Sequence, residues 1–266
     1  MSRAAGLLIG ALLLGGAARE ETPDVYLLAG QSNMSGRGEL AELSEAERAL
    51  DPCIRLYGND GKWRIAAEPL DDAAGQVDAV AEDRQAGVGP GLFFARAMLK
   101  RRTRPILLVP CAKGGSSIGR WAPGGGRDTL YGACLARVRE AGGRIAGVLW
   151  YQGESDTGSD EKAAAWKARF AALVASLRRD LAAPRLPVVF VQLADRATSP
   201  ERAARYPAWA TVQQAQAAVS LGCTHMVPAK GLTLNADELH LSTAGQRALG
   251  QRLAVAMEGL RKGGCG

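Results

Sequence analysis

The stretch DVYLLAGQSNMSGRG, residues 24–38, decides the fold. After Asp24, the next five residues form an apolar run, which predicts a β-strand over residues 24–29, buried on both faces of a parallel sheet. The run passes directly into a glycine-rich turn that carries polar side chains, among them Ser32. Ligands gather at the carboxyl ends of the strands in open α/β sheets, so this turn lies where a functional group is expected.

Three later segments share the apolar, Val-, Ile- and Leu-rich character of this first strand. They are residues 105–109, 145–150 and 187–191. Segments with helical periodicity lie between and after them, at residues 92–100, 130–140, 160–181, 203–219 and 243–260. The alternation predicts an α/β protein, a three-layer α/β/α sandwich with a central, mostly parallel sheet of flavodoxin-like architecture. Residues 39–89 fit the alternation poorly, and we expect loops and short elements there.

The composition is that of an ordinary globular protein. Of the 266 residues, 47% are hydrophobic and 23% are charged, which allows one substantial core. The net charge of +6 arises from cations that are mixed with carboxylates along the chain. The one basic cluster, at residues 100–104, follows a helical segment and is interpreted as a solvated helix end. Since no basic stripe with interleaved aromatic residues occurs, no nucleic-acid partner is expected, and the oligomeric state stays open.

The first eighteen residues have the pattern of a secretory signal peptide. Arg3 precedes an apolar run from Ala4 to Leu14, and small residues follow at positions 16–18. The apolar run is shorter than the roughly 20 residues that a transmembrane helix needs. We therefore predict a signal peptide over residues 1–18, a single domain over residues 22–261, a secreted or extracytoplasmic location and no stable membrane insertion.

Five cysteines and two histidines are too few and too irregularly spaced for a zinc site. No metal is expected. In an exported protein one or two disulfides can form, which leaves one thiol over, but the sequence does not determine the pairing.

Two glycine-rich turns follow predicted strands. Ser32 lies in the first turn as either a nucleophile or a turn cap, and Met34 replaces the second glycine of a GxSxG elbow. Gly114 and Gly115 lie in the second turn, where backbone N–H groups can point at a developing oxyanion. That turn lacks the residue order of a phosphate-binding loop.

The strand at residues 145–150 runs into WYQGESD, residues 150–156. The amide of Gln152 can donate to an oxyanion, whereas Asp156 is interpreted as the end of the strand or a helix cap. Further along, Asp237 lies three residues before His240, a spacing that lets the carboxylate accept the Nδ1–H bond of the imidazole. His225 lies in an apolar run without a nearby carboxylate, so His240 is the better base.

Together these blocks resemble the acetyl-xylan-esterase and sialate O-acetylesterase branch of the SGNH hydrolases. The resemblance rests on GQSNM at residues 30–34, on the glycine pair at 114–115, on WYQGESD at 150–156 and on Asp-x-x-His at 237–240. It extends to residues 87–91 and 241–246. It covers nearly all of residues 24–257 and is closest to the plant-type carbohydrate esterases.

The resemblance implies a triad of Ser32, Asp237 and His240 that removes acetyl groups from a carbohydrate through an acetyl-enzyme, without a cofactor. It implies an oxyanion hole from the N–H groups of Ser32 and Gly115 and from the side chain of Gln152, in place of the asparagine of most SGNH hydrolases. The supporting residues are Asn33, Gly114 and Glu154, with Glu154 expected to orient Gln152 or nearby backbone.

Two rival interpretations remain. One is a short-chain lipase or general esterase with the same triad, and the other is a non-catalytic carbohydrate-binding relative. The sugar and the hydroxyl are undetermined. Four aromatic residues are candidates for stacking on a sugar ring: Trp63, Trp121, Tyr151 and Trp209.

Overall fold

The computed structural model describes residues 21–266. They contain a seven-stranded sheet with the order β3-β2-β4-β1-β5-β6-β7. The strands are β1 Asp24–Gly30, β2 Ile54–Tyr57, β3 Trp63–Ile65, β4 Ile106–Pro110, β5 Arg144–Tyr151, β6 Val188–Gln192 and β7 Thr224–Pro228. Strand β3 is antiparallel to β2, and the other neighbouring strands of this sheet pair in parallel. The mostly parallel α/β architecture predicted from the sequence is confirmed.

Strand β1 lies at the centre of the sheet, and all seven of its residues are buried. It is in register with β4 through Leu28 and Pro110, and with β5 through Gly30 and Tyr151. Gly30 has a φ of +133°, and a Cβ there would lie 2.1 Å from the Tyr151 carbonyl oxygen, so only glycine allows this close approach. As a result, the turns that follow β1, β4 and β5 meet at one edge of the sheet.

Eight α-helices accompany the sheet within residues 21–266. Their bounds are α1 Ser32–Ser35, α2 Glu45–Arg48, α3 Gly91–Leu99, α4 Leu130–Ala141, α5 Asp160–Asp180, α6 Pro200–Arg205, α7 Trp209–Ala217 and α8 Thr243–Lys262. Helix α3 packs on α8, and α5 packs on α7, with each pair also contacting strands. Side-chain oxygens of Thr129, Ser159 and Ser242 accept backbone N–H bonds at the starts of α4, α5 and α8, which satisfies donors that a helix start leaves free.

One sequence-based expectation needs correction. The helix predicted over residues 203–219 is interrupted between α6 and α7, because Pro207 lacks an N–H group and disfavours helical geometry at Tyr206. The segment 39–89 agrees with the expectation of loops and short elements, and two of these elements, β2 and β3, join the sheet. These strands are only four and three residues long, which is too short for a periodic signal.

Two disulfides form, Cys111–Cys134 and Cys223–Cys265, and the exposed Cys53 stays free. This agrees with the expectation of one or two bridges and a leftover thiol. Within the described range 21–266, no helix is both long and apolar enough to cross a membrane. The predicted signal peptide lies outside these residues.

Candidate active site

The side chain of Ser32 lies at the carboxyl end of the central strand, as the first residue of the short helix α1. Its Oγ is 2.9 Å from Nε2 of His240, although 208 residues separate the two in the chain. The Ser32 N–H group has no acceptor among the described residues. The serine therefore offers a hydroxyl in contact with a base and a free backbone donor beside it.

The imidazole of His240 is held by Asp237. The Asp237 Oδ2 atom lies 2.5 Å from His240 Nδ1, while Oδ1 accepts the backbone N–H groups of Leu239 and His240, each at 3.0 Å. Burial alone would raise the pKa of Asp237, but the hydrogen bonds from His240 and Leu239 outweigh it and lower the pKa. The ionised carboxylate keeps the proton on Nδ1, so Nε2 is free to accept the Ser32 proton.

The turn after β4 supplies a second free backbone donor. Gly115 has a φ of +68°, a left-handed conformation that favours glycine, and its N–H group has no acceptor within residues 21–266. Gly115 lines the same cleft as Ser32 and His240, whose volume is about 750 Å³. Two unpaired N–H groups beside a nucleophile are suited to an oxygen that becomes negatively charged.

The sequence matches the model of a known protein family. Residues 22–259 match the model of the family described as carbohydrate esterase, sialic acid-specific acetylesterase. The chain belongs to this carbohydrate esterase family. The resemblance inferred from the four motifs is thereby confirmed.

Individual proteins similar to this carbohydrate esterase agree with the family assignment. It is 35% identical, over 87% of its length and 89% of the relative's, to a protein of Arabidopsis thaliana named a probable carbohydrate esterase. An X-ray structure of an Arabidopsis thaliana protein matches with a TM-score of 0.78 and 34% identity, covering 90% of this chain and 98% of that one. A carbohydrate acetylesterase from Xanthomonas citri matches at 0.66 and 26%, covering 90% of this chain and 56% of that one.

Asn33 and Glu154 support the histidine loop of this carbohydrate esterase. Asn33 Oδ1 accepts the N–H group of Leu241 at 2.9 Å, and Asn33 Nδ2 donates to the Leu239 carbonyl oxygen at 3.1 Å, so both neighbours of His240 are fixed. Asn33 Nδ2 also donates to Glu154 Oε1 at 2.6 Å. Glu154 thus holds Asn33, whereas the sequence suggested Gln152 or nearby backbone.

The carboxyl group of Glu154 is 2% exposed. Burial raises its pKa to about 7, an effect that the bond from Asn33 only partly offsets. Its Oε2 atom has no hydrogen-bond partner among residues 21–266. The proton of this carboxyl group is therefore bound more tightly in the folded protein than in water.

Asp83 joins the turn after β1, which carries Ser32, to the turn after β4 with Gly114 and Gly115, which we call the oxyanion turn after its expected role. Its carboxylate accepts the Gly114 N–H group at 2.8 Å, the Ser35 hydroxyl at 2.9 Å and two bonds from Arg37 at 2.8 and 2.9 Å. Burial opposes ionisation, but the Arg37 guanidinium and the other donors lower the pKa of Asp83. Asp83 was not predicted from the sequence, because it lies in the segment 39–89, where neither periodicity nor a motif marks it.

The structure does not bring Gln152 to the cleft. Its side chain is completely buried, and its Nε2 donates to Asp156 Oδ2 at 2.5 Å, to the Ser116 carbonyl oxygen at 3.1 Å and to Gln31 Oε1 at 3.2 Å. With both hydrogens of this amide engaged inside the protein, Gln152 has no donor left for an oxyanion, and we assign it a supporting position.

The aromatic candidates for sugar stacking are also placed differently. Trp121, Tyr151 and Trp209 are at most 3% exposed, and Trp63 is exposed on β3 but does not line the cleft. Tyr206, which sequence reasoning missed, is half-buried and lines the cleft. The proline that follows Tyr206 is the signal that could have indicated a loop there.

Proposed function

We propose that this chain is a serine esterase that removes O-acetyl groups from a carbohydrate through an acetyl-enzyme intermediate. The observation that carries the proposal is the continuous contact of Ser32, His240 and Asp237 at 2.9 and 2.5 Å, in a cleft that also presents two free backbone N–H groups. The geometry of nucleophile, base and orienting carboxylate is what acyl transfer requires.

The reaction proceeds in two steps. Ser32 Oγ attacks the acetyl carbonyl carbon while His240 Nε2 takes the hydroxyl proton, and the carbonyl oxygen becomes an oxyanion that accepts bonds from the N–H groups of Ser32 and Gly115. The tetrahedral intermediate collapses, and the sugar oxygen leaves with the proton from His240. Water then attacks the acetyl-enzyme, again with His240 as base, and acetate is released.

The acetyl-carbohydrate substrate is supported by membership of the family and by the Xanthomonas citri relative, whose structure is described as that of a carbohydrate acetylesterase. The test is acetate release from acetylated xylan and from O-acetyl sialic acid, with nitrophenyl acetate and nitrophenyl octanoate beside them. We expect turnover of at least one acetylated sugar and of the acetyl ester, with slower turnover of the octanoyl ester and none by Ser32→Ala. Preference for octanoate would favour the lipase alternative, and binding without turnover the non-catalytic one.

We also propose that the protein is exported. Two disulfides, Cys111–Cys134 and Cys223–Cys265, support this, since such bonds persist in oxidising compartments. N-terminal sequencing of protein recovered from the extracytoplasmic fraction of the native host should begin just after residue 18. Recovery of the chain with residues 1–18 intact from the cytosol would refute the proposal.

A further inference from the structure

The side-chain amide of Gln31 has one end fixed in the protein and the other end free. Its Oε1 atom accepts the N–H groups of Gly153 and Ser155, both at 3.3 Å, and the Gln152 amide at 3.2 Å. Because all three partners are donors, the oxygen must occupy this position and the NH₂ group must lie on the opposite side. Among residues 21–266 the Gln31 Nε2 atom has no acceptor.

That free NH₂ group faces the cleft. Gln31 is only 2% exposed, yet it lines the cleft beside Ser32, Gly115 and His240. The Nε2 atom is not fully enclosed by the protein, so the small accessible part of this residue includes the nitrogen. A donor that has no acceptor within the protein and is accessible from the cleft can donate to a ligand bound there.

We propose that Gln31 is a catalytic residue whose Nε2–H donates to the carbonyl oxygen of the bound ester as that oxygen becomes an oxyanion. It is the third donor of the hole, beside the N–H groups of Ser32 and Gly115. Gln152, the expected third donor, lies behind Gln31 and holds its Oε1 in place. The bond strengthens as negative charge develops on the oxygen, because hydrogen bonds to charged acceptors are the stronger ones.

This inference rests on the proposed esterase activity, and its test separates a donor from a purely structural amide. The variant Gln31→Glu keeps the acceptor that holds Gly153 and Ser155 but loses the donor, whereas Gln31→Met loses both. At pH 9, well above the usual Glu pKa of about 4.3, the introduced carboxyl group is ionised. Gln251→Glu, an exposed position on α8, is the matched control.

With nitrophenyl acetate, we expect both Gln31 variants to lose about 100- to 1000-fold in kcat with KM changed less than about threefold, as removal of an interaction made mainly in the transition state requires. Gln251→Glu should match the wild type. If Gln31→Glu stays within about threefold of wild-type kcat while Gln31→Met does not, Gln31 is only structural and the proposal is wrong. If the wild type itself does not turn over the ester, it is the proposed function that fails.

A crystal structure of the wild-type enzyme with Ser32 modified by a methylphosphonate tests the same contact without any Gln31 variant. The phosphoryl oxygen stands in for the oxyanion. We expect Gln31 Nε2 within about 3.1 Å of that oxygen, together with the two backbone N–H groups. A separation above about 4 Å, or an oxygen bound by the backbone donors alone, would overturn the proposal.

Discussion

Replacing Asp83 with asparagine should separate the stability of the fold from the geometry of the oxyanion turn. Asp83→Asn keeps the shape of the side chain but removes its charge and places an NH₂ group among donors. Arg37, whose side chain is 11% exposed, then faces a neutral partner, and either Arg37 or the Gly114 N–H group loses its acceptor.

The expected loss has two parts. Breaking a buried ion pair on one side costs about 3 to 5 kcal/mol, which for a domain of this size lowers Tm by about 10 °C. Gly115 follows Gly114 directly, so a turn that is no longer held by Asp83 presents the Gly115 N–H group less accurately. Loss of one oxyanion donor lowers kcat by about 100- to 1000-fold, which is the upper bound for this variant.

Asp78 provides the matched control. Its carboxylate is also buried and pairs with Arg127 and Arg137, both at 2.7 Å, but it does not line the cleft. Asp78→Asn should lose similar stability and keep kcat within about threefold when assayed at 20 °C, below both transitions. If Asp83→Asn loses stability to the same extent but also keeps kcat, Asp83 contributes only to stability and its role at the oxyanion turn is refuted.

Three further predictions concern other groups. Asp237→Asn should lower the kcat for nitrophenyl acetate by about three to four orders of magnitude, because the amide does not hold His240 in the required tautomer; a loss below tenfold would contradict the triad. Glu154 has a pKa of about 7 in the folded state and about 4.3 in the unfolded state, so it binds its proton more tightly when folded and lowers stability as the pH rises through that interval. The free energy of unfolding of Glu154→Gln, measured in urea titrations relative to wild type, should therefore increase by about 3 kcal/mol between pH 4 and pH 8. A difference that stays constant with pH would contradict this. Replacing Cys223 and Cys265 by serine opens a loop with a sequence separation of 42 and should cost roughly 4 kcal/mol of stability. The kcat should stay unchanged, since this disulfide lies at the opposite edge of the sheet from the cleft, and a loss of kcat would contradict that expectation.

The sequence was sufficient to predict the central strands and the grouping of Ser32, Asp237 and His240 at one site. Strands β1, β4, β5 and β6 each contain an apolar run that is buried in the sheet, which is the strongest pattern a parallel sheet produces. Ser32 and His240 are each marked by a local motif at a strand or helix end, and the resemblance to a known family implied their pairing.

The side-chain contacts of Gln152, Gln31 and Asp83 could not be predicted in the same way. The orientation of Gln152 depends on Asp156 and Ser116, and that of Gln31 on backbone groups 122 and 124 residues away in the chain. Asp83 is likewise defined by contacts made across the fold. Such hydrogen bonds are set by how the turns meet at the sheet edge, and residue type alone does not record them.

The most direct test of the central claim is the mass of the enzyme quenched in acid during turnover of nitrophenyl acetate. An acetyl-enzyme adds about 42 Da, and peptide mapping should locate the added mass on Ser32. The adduct should be absent from Ser32→Ala, which should also lack turnover. Steady turnover by Ser32→Ala, or an adduct on another residue that forms and decays at the catalytic rate, would contradict the account.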